Sequence, residues 1–116
     1  MHKYCVKENY TIKETIEKFE ADNDRVAIVV NDAEQVVGVV SQGDILRALS
    51  SGVGMYTQIN KIISNSFLHL YEKDMETALK MFRKKKLSLL PIINRDNTLA
   101  DVIVINDIYD YLGVKE

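Results

Sequence analysis

The sequence lacks the features that mark several large classes of protein. It has one cysteine in 116 residues, so no internal disulfide can form and a reducing, cytoplasmic setting is predicted. It has no surplus of basic residues: the formal net charge is −2, which argues against nucleic-acid binding. No apolar run approaches the roughly 20 residues of a membrane-spanning helix, and the start of the chain lacks the apolar stretch of a signal peptide. We therefore predict a protein with no nucleic-acid or membrane partner.

The residue sets from which enzyme and metal sites are built are also missing. His2, His69 and Cys5 do not have the spacing of metal ligands, and no second cysteine supports a zinc site. No Ser-His-acid order indicates a catalytic triad, and no acid-base pair or activated nucleophile can be assembled. The sequence predicts no catalytic residue, no metal and no required cofactor.

A repeat with an offset of 63 residues organises the chain. Asp44 and Asp107 are 107 − 44 = 63 residues apart, and the same offset carries residues 28–31 onto 91–94. A unit of about 60 residues is near the lower limit for independent folding, so the two copies are expected to share one core.

The hydrophobic period changes in the same order within each copy. Apolar residues at i, i+4 and i+7 predict a helix, two β-rich runs around a polar turn predict a hairpin, and a short helix follows. The predicted elements are a helix through 12–19, strands 26–30 and 36–40 and a helix 44–49, then a helix through 75–82, strands 87–93 and 99–105 and a helix 107–112. A short first strand is also predicted in each copy, near 5–10 in the first and near 67–71 in the second. Because each copy contains both helices and strands, the predicted fold is α+β. Two β-α-β-β-α repeats are related by a pseudo-twofold axis and pack sheet to sheet.

Short motifs in both copies resemble those of a known domain family. Gly38-Val39-Val40-Ser41-Gln42-Gly43-Asp44-Ile45 resembles the Gly-hydrophobic-x-Thr/Ser-x-x-Asp signature of cystathionine-beta-synthase-type (CBS) domains, and Leu90-Pro91-Ile92-Ile93 resembles that family's Leu-Pro-Val-Val strand. The resemblance implies one tandem CBS module over residues 1–116, with repeats 1–54 and 55–116. Residues 43–49 with Gly52 further resemble CBS pairs found beside sugar-nucleotide nucleotidyltransferase domains.

The resemblance implies a nucleotide-binding role for the first copy. CBS pairs bind AMP, ADP, ATP or S-adenosylmethionine in clefts between their repeats, regulate an attached or partner domain, and commonly form homodimers. By position, Asp44 would accept hydrogen bonds from the ribose hydroxyls and Ser41 would hold a phosphate, aided by free backbone amides at a helix start. The other implied contacts are backbone approach at Gly38, an apolar adenine slot from Val39, Val40 and Ile28, and a phosphate contact from Arg25.

The second copy departs from the signature. Asp101 replaces Gly38 and Val104 replaces Ser41, so only Asp107 is kept, and Asn106 is the expected helix cap. Losing the hydroxyl removes a phosphate anchor, and Asp101 adds negative charge. The second site is therefore expected to be empty or to bind an uncharged nucleoside.

Each of these features has a simpler structural interpretation. Residues 41–44 also form a capping-box pattern, which by itself stabilises a helix start by about 1 kcal/mol. Arg25 is also compatible with a solvated position before a strand. Residues 83–86 place positive charge where it suits a helix C-terminus, with a phosphate-facing role as the other interpretation.

The predicted function is that of a regulatory module that senses an adenosine-containing nucleotide. The alternative is a ligand-free dimerisation or protein-interaction module. An enzyme is the third and weakest hypothesis.

Overall fold

Two units with similar secondary structure follow each other along the chain. The computed structural model describes residues 1–64 and 66–114. Unit 1 is Met1–Phe67 and unit 2 is Leu68–Glu116. No helix in the described part of the chain has the length and apolar character needed to cross a bilayer.

Unit 1 has the predicted β-α-β-β-α order. Its elements are β1 Cys5–Lys7, α1 Ile12–Asp22, β2 Val26–Val30, β3 Val36–Ser41 and α2 Gln42–Ser50, followed by a 3₁₀ turn at Ile59–Lys61. The three strands form one sheet in the order β1-β2-β3. β1 is parallel to β2, and β3 is antiparallel to it.

Unit 2 repeats this order with a reduced first strand. Its elements are α3 Met75–Lys85, β4 Leu89–Ile93, β5 Leu99–Val104 and α4 Ile105–Tyr111. β4 and β5 form an antiparallel pair. The strand predicted near 67–71 is reduced to a single parallel bridge between Leu70 and Ile92, where the Leu70 N–H donates to the Pro91 carbonyl and the Ile93 N–H donates to the Leu70 carbonyl.

The structure confirms the 63-residue offset. α3 starts 75 − 12 = 63 residues after α1, β4 starts 89 − 26 = 63 after β2, and β5 starts 99 − 36 = 63 after β3. Both hairpins carry a register shift at the same place, and both turns use a left-handed residue, Glu34 in unit 1 and Asn97 in unit 2. Local backbone geometry is therefore repeated along with the apolar pattern.

A hydrophobic core lies between the helices and one sheet face in each unit. In unit 1, Phe19 of α1 and Ile45 of α2 pack with Val29 and Val40 of the sheet. In unit 2, Phe82 and Ile108 pack with Leu90 and Ile103. Each such side chain contributes about 1.5–3 kcal/mol when it is fully buried, so this burial holds the hairpin and its helices together.

The segment after α2 belongs to unit 1. The Ile12 N–H donates to the Thr57 carbonyl at 2.9 Å, and the Ile59 N–H donates to the Tyr10 carbonyl at 2.7 Å. Ile59 is fully buried in the core of unit 1. The two units divide after Phe67, and the predicted repeat boundary at residue 54 stays a prediction. That the chain acts as a single module stays a prediction.

Candidate ligand site at the junction of β3 and α2

Ser41 and Asp44 form a reciprocal pair where β3 passes directly into α2. Ser41 is the last residue of β3 and the N-cap of α2, with extended backbone angles. Its hydroxyl oxygen accepts from the Asp44 N–H at 3.1 Å, and Asp44 Oδ2 accepts from the Ser41 N–H at 2.9 Å. The structure therefore has the capping box that the sequence pattern indicates, which satisfies two backbone donors that the helix leaves unpaired.

The capping box leaves hydrogen-bonding capacity for a ligand. Ser41 Oγ acts as an acceptor within the box, so its own hydroxyl hydrogen remains free to donate. A carboxylate offers about four lone-pair positions, more than Asp44 uses here. The Gly43 N–H, in the first turn of α2, has no acceptor among residues 1–64 and 66–114. Capping and ligand binding are therefore compatible.

Arg47 adds a cation that the sequence analysis did not identify. Its Nη2 lies 2.5 Å from Asp44 Oδ1, and the Arg47 side chain is 74% exposed. A Cβ built on Gly43 would lie 3.4 Å from Arg47 Nη1, which places the guanidinium beside the first turn of α2. The signal in the sequence is the i, i+3 spacing of an acidic and a basic residue on one helix.

Position 38 requires glycine because another segment of the chain lies close to its backbone. A Cβ at this position would lie 2.8 Å from the Ser64 carbonyl oxygen and 3.0 Å from Ile63 Cδ1. The approach exists because Val39 forms an antiparallel bridge with Ser64. The predicted approach of a ligand to the Gly38 backbone stays a prediction.

The three residues of the implied adenine slot divide between the two faces of the sheet. Ile28 and Val39 are direct cross-strand partners, so they share one face. Val40 points to the other face and is fully buried against the helices. Only the main chain of Val40 is therefore available on the face that Val39 occupies. Val39 is half-buried, whereas Ile28 is fully buried.

Arg25 lies beside the start of α2. Its carbonyl accepts from the Gln42 N–H at 2.9 Å, and the next residue, Val26, pairs with Ser41 across the hairpin. The Arg25 side chain is exposed. The fold thus brings Arg25, Ser41 and Asp44 to one corner of unit 1.

The equivalent corner of unit 2 keeps half of this arrangement. Asp107 Oδ2 accepts from the Val104 N–H at 2.8 Å. The valine side chain has no oxygen that could accept from the Asp107 N–H in return, so the capping box is incomplete. The predicted Asn106 cap is wrong: Val104 is the N-cap, since β5 runs into α4 at the same register as β3 into α2. The position equivalent to Arg47 holds Asp110, so this corner has a second carboxylate in place of a guanidinium.

Asp101, at the position of Gly38, is engaged within unit 2. Its Oδ1 accepts from the Val102 N–H at 2.8 Å, and its Oδ2 lies 3.4 Å from Lys73 Nζ. It keeps a carboxylate on β5 near the start of α4, so the electrostatic environment remains less favourable to an anion than in unit 1.

The described part of the chain holds neither a metal-ligand cluster nor an exposed cysteine. No group of three His, Cys, Asp or Glu side chains converges there as a metal site would require. Cys5 is buried, and that burial, more than the charge of Glu34, raises the pKa of its thiol. A neutral thiol is a poor nucleophile.

The sequence matches a known family over most of its length. The match is to the family described as CBS domain, over residues 1–51 and 70–114. A relative from Helicobacter pylori, named only as an uncharacterized protein, is 33% identical over 92 residues, which cover 77% of this chain and 27% of that protein. The chain thus spans about a quarter of the length of the curated relatives it matches.

Solved structures show the same fold. A CBS domain protein from Pyrobaculum aerophilum complexed with AMP has a TM-score of 0.75 at 21% identity, covering 96% of this chain and 91% of that one. A CBS domain pair in complex with 5′-methylthioadenosine and S-adenosyl-L-methionine has a TM-score of 0.75 at 18% identity, covering 97% and 89%. These similarities agree with the α+β architecture.

Proposed function

Because the chain belongs to the CBS domain family, we propose that it is a regulatory module that binds an adenosine-containing ligand at the junction of β3 and α2. The observation that carries the proposal is the set of Ser41, Asp44 and the Gly43 N–H at one corner, each with unused hydrogen-bonding capacity. The adenosine ligands named for two similar structures support the chemical class. AMP, ADP, ATP and S-adenosylmethionine are the candidates.

Each residue of this corner contacts a different part of the ligand. The Asp44 carboxylate accepts hydrogen bonds from the two ribose hydroxyls, and the Ser41 hydroxyl and the Gly43 N–H donate to a phosphate. Val39 supplies an apolar contact for adenine, and its cross-strand partner Ile28 supports it from a fully buried position on the same sheet face. No step is catalytic, and no cofactor is required.

Two arginines supply the charge that a phosphate needs. Arg25 and Arg47 both lie at this corner and are exposed. The ion pair between Arg47 and Asp44 is solvent-exposed, and such pairs contribute only about 0–1 kcal/mol. Arg47 can therefore turn from Asp44 to a bound phosphate at little cost, which frees Asp44 for the ribose.

The corner around Asp107 binds a nucleotide weakly or not at all. It lacks the Ser41 hydroxyl and the Arg47 guanidinium, and it places Asp110 and Asp101 nearby. Repulsion between these carboxylates and a phosphate disfavours AMP or ATP. An uncharged nucleoside is the ligand this corner would tolerate.

The proposed output is control of another part of the protein or of a partner. The chain corresponds to about a quarter of its curated relatives, so an effector domain beside it is consistent with their length. Association with a nucleotidyltransferase stays a prediction.

We also propose a homodimer formed through the short helices. α2 exposes Leu46 at 63%, α4 exposes Ile105 at 38% and Tyr109 at 41%, and Leu112, the C-cap of α4, is 51% exposed. Single exposed apolar residues are ordinary, but several on the two equivalent helices are typical of an interface. The exposed side chains of either helix also support the alternative of a ligand-free interaction module. Sedimentation equilibrium at high micromolar protein tests for the dimer, and nucleotide binding separates the two functions.

The deciding experiment is calorimetric titration of AMP, ATP, adenosine and GMP into four proteins. These are the wild type, Asp44→Ala, Ser41→Val and the matched control Asp107→Ala. Losing the hydrogen bonds of a charged group costs about 1–3 kcal/mol, so Asp44→Ala should weaken AMP about 5- to 150-fold. Asp107→Ala should leave AMP affinity almost unchanged. Ser41→Val should weaken AMP more than adenosine, since the hydroxyl serves the phosphate.

Two results would overturn the proposal. If no adenosine compound binds at millimolar concentration, the interaction-module function is favoured. If Asp44→Ala lowers only the melting temperature and leaves AMP affinity as in the wild type, Asp44 acts as a capping residue alone. Equal losses at Asp44 and Asp107 would contradict the asymmetry between the two corners.

A further inference from the structure

One face of α3 carries a cluster of cations that the adenosine site does not use. Lys80, Arg83 and Lys84 occur at i, i+3 and i+4, so their side chains leave the helix on the same side. All three are exposed, and together they line a cavity of about 350 Å³. That volume falls within the range of about 300–1,000 Å³ found for small-molecule sites.

No carboxylate of the described residues neutralises these cations. Within residues 1–64 and 66–114, none of the three forms an ion pair. Glu76, one turn before Lys80, instead accepts a hydrogen bond from the Tyr111 hydroxyl. Lys80 and Lys84 are like charges at i, i+4, a spacing at which they repel each other. A like-charge pair at this spacing destabilises a helix by about 0.2–0.5 kcal/mol, and a bound anion relieves that repulsion.

Lys80 does influence one carboxylate at a distance. The pKa of Asp74 is lowered, first by its hydrogen bonds with Thr77 and in smaller part by the charge of Lys80. Asp74 is the N-cap of α3, where its side chain accepts from the Thr77 N–H and hydroxyl. The side-chain hydrogen bonds of Asp74 lie at the start of the helix, and its charge influences Lys80 only at a distance.

The helix dipole does not explain the whole cluster. Positive charge in the last turn of α3, which ends at Lys85, is stabilised by the dipole, but the effect falls off within one turn and Lys80 lies five residues before the end. α1 is an equivalent helix of the same length, also ending in a left-handed residue. At the positions of the three cations it carries Glu17, Glu20 and Ala21. The fold therefore does not require cations here.

We propose that the cavity beside Lys80, Arg83 and Lys84 binds a compact polyphosphate anion. The planar guanidinium of Arg83 can donate two parallel hydrogen bonds to one phosphate group, and the two ammonium groups act as point charges for its neighbour. The cavity is open on one side and has room for a small anion. The site belongs to unit 2 and is independent of the adenosine site proposed in unit 1.

Inorganic pyrophosphate is the probe, because it carries the proposed chemistry and has no adenosine. Calorimetric titration at low ionic strength compares the wild-type chain with Arg83→Gln/Lys84→Gln and with Lys13→Gln/Lys61→Gln. The second variant removes the same charge from exposed lysines in unit 1 that do not line the cavity. The first should weaken pyrophosphate about tenfold or more, and the control should change affinity by less than about twofold.

Three outcomes would overturn the proposal. The first is an absence of heat with millimolar pyrophosphate while the melting temperature shows a folded chain. The second is an equal loss in both double variants, which would mean that only net charge attracts the anion. The third is binding to phosphatidylglycerol vesicles that pyrophosphate does not displace, which would assign the cluster to a membrane surface. A Lys80→Arg variant, which keeps the charge, should retain pyrophosphate binding.

Discussion

The Ser41 hydroxyl accepts from the Asp44 backbone N–H while the Asp44 carboxylate accepts from the Ser41 backbone N–H, at 3.1 and 2.9 Å. At the equivalent place in unit 2, Asp107 binds the Val104 N–H at 2.8 Å, and valine returns no bond. The protein thus contains one complete capping box and one that lacks the side-chain acceptor, in nearly the same backbone geometry. Comparing the two gives the contribution of the serine hydroxyl to the free energy of unfolding.

Exchanging the cap residues should move stability in opposite directions. Ser41→Val should lower the free energy of unfolding by about 1 kcal/mol because the Asp44 N–H loses its acceptor. Val104→Thr should raise it by up to about 1 kcal/mol, since threonine keeps the branched shape and adds the missing oxygen. Urea denaturation of both variants is the measurement. A loss of stability on Val104→Thr would show that packing of the valine outweighs the cap.

Gly38 should tolerate no larger residue. The Cβ of Gly38→Ala would meet the Ser64 carbonyl oxygen at 2.8 Å, and this neighbour is backbone that cannot rotate away. We expect a loss of about 1–3 kcal/mol, the range for overpacking a tight site. The control is Gly54→Ala, where the nearest atom to the new Cβ is Thr57 Oγ1 at 4.0 Å. Thermal unfolding should separate the two variants, and equal melting temperatures would contradict the close approach.

The sequence predicted the local structure well because local rules decide it. Helix α1 starts after Thr11, which forms a capping box with Glu14, and glycines with positive φ, Gly52 and Gly113, follow the ends of α2 and α4. The apolar periods also located both hairpins, since each strand must bury one face against the helices.

The remaining features depend on contacts between distant residues. The addition of residues 55–67 to unit 1 depends on hydrogen bonds from Ile12 to Thr57 and from Ile59 to Tyr10, which no local pattern indicates. The cap at Val104 follows from the register of β5 on β4 rather than from the preference of asparagine for caps. The opposite orientations of Val39 and Val40 follow from strand alternation, which the family resemblance by itself does not convey.

The Cys5 thiol should react slowly in the folded protein. It is 2% exposed, and burial raises its pKa, so little thiolate is present near neutral pH. Reaction with Ellman's reagent at pH 8 should be on the order of 100-fold slower in buffer than in guanidinium chloride, because it requires local opening. A Cys5→Ala/Ser50→Cys variant, with its thiol on the exposed end of α2, is the control and should react quickly in both. Equal rates for the wild type in the two solvents would contradict the burial of Cys5.

The hydrogen bond from the Tyr111 hydroxyl to Glu76 should make stability depend on alkaline pH. It joins α4 to the first turn of α3, and it raises the pKa of Tyr111 above the ordinary value of 10.0, chiefly because the neutral hydroxyl is the donor. A group whose pKa is raised by folding stabilises the folded state below its unfolded pKa, and this contribution is lost as the pH rises through the folded pKa. The wild type should therefore be more stable than Tyr111→Phe at pH 8, with the difference shrinking above pH 10.

Tyr109→Phe is the matched control for this pH dependence, because Tyr109 is also exposed on α4 and its hydroxyl has no hydrogen-bond partner in the described part of the chain. Comparing Tyr111→Phe with this variant at each pH removes effects that any tyrosine-to-phenylalanine change on α4 would share. Ultraviolet titration at the tyrosinate band provides an independent check. Glu76→Gln should lower the pKa of Tyr111 toward its ordinary value, since the amide acceptor carries no charge to oppose ionisation. An unchanged tyrosine titration in Glu76→Gln would show that the hydrogen bond does not form in solution.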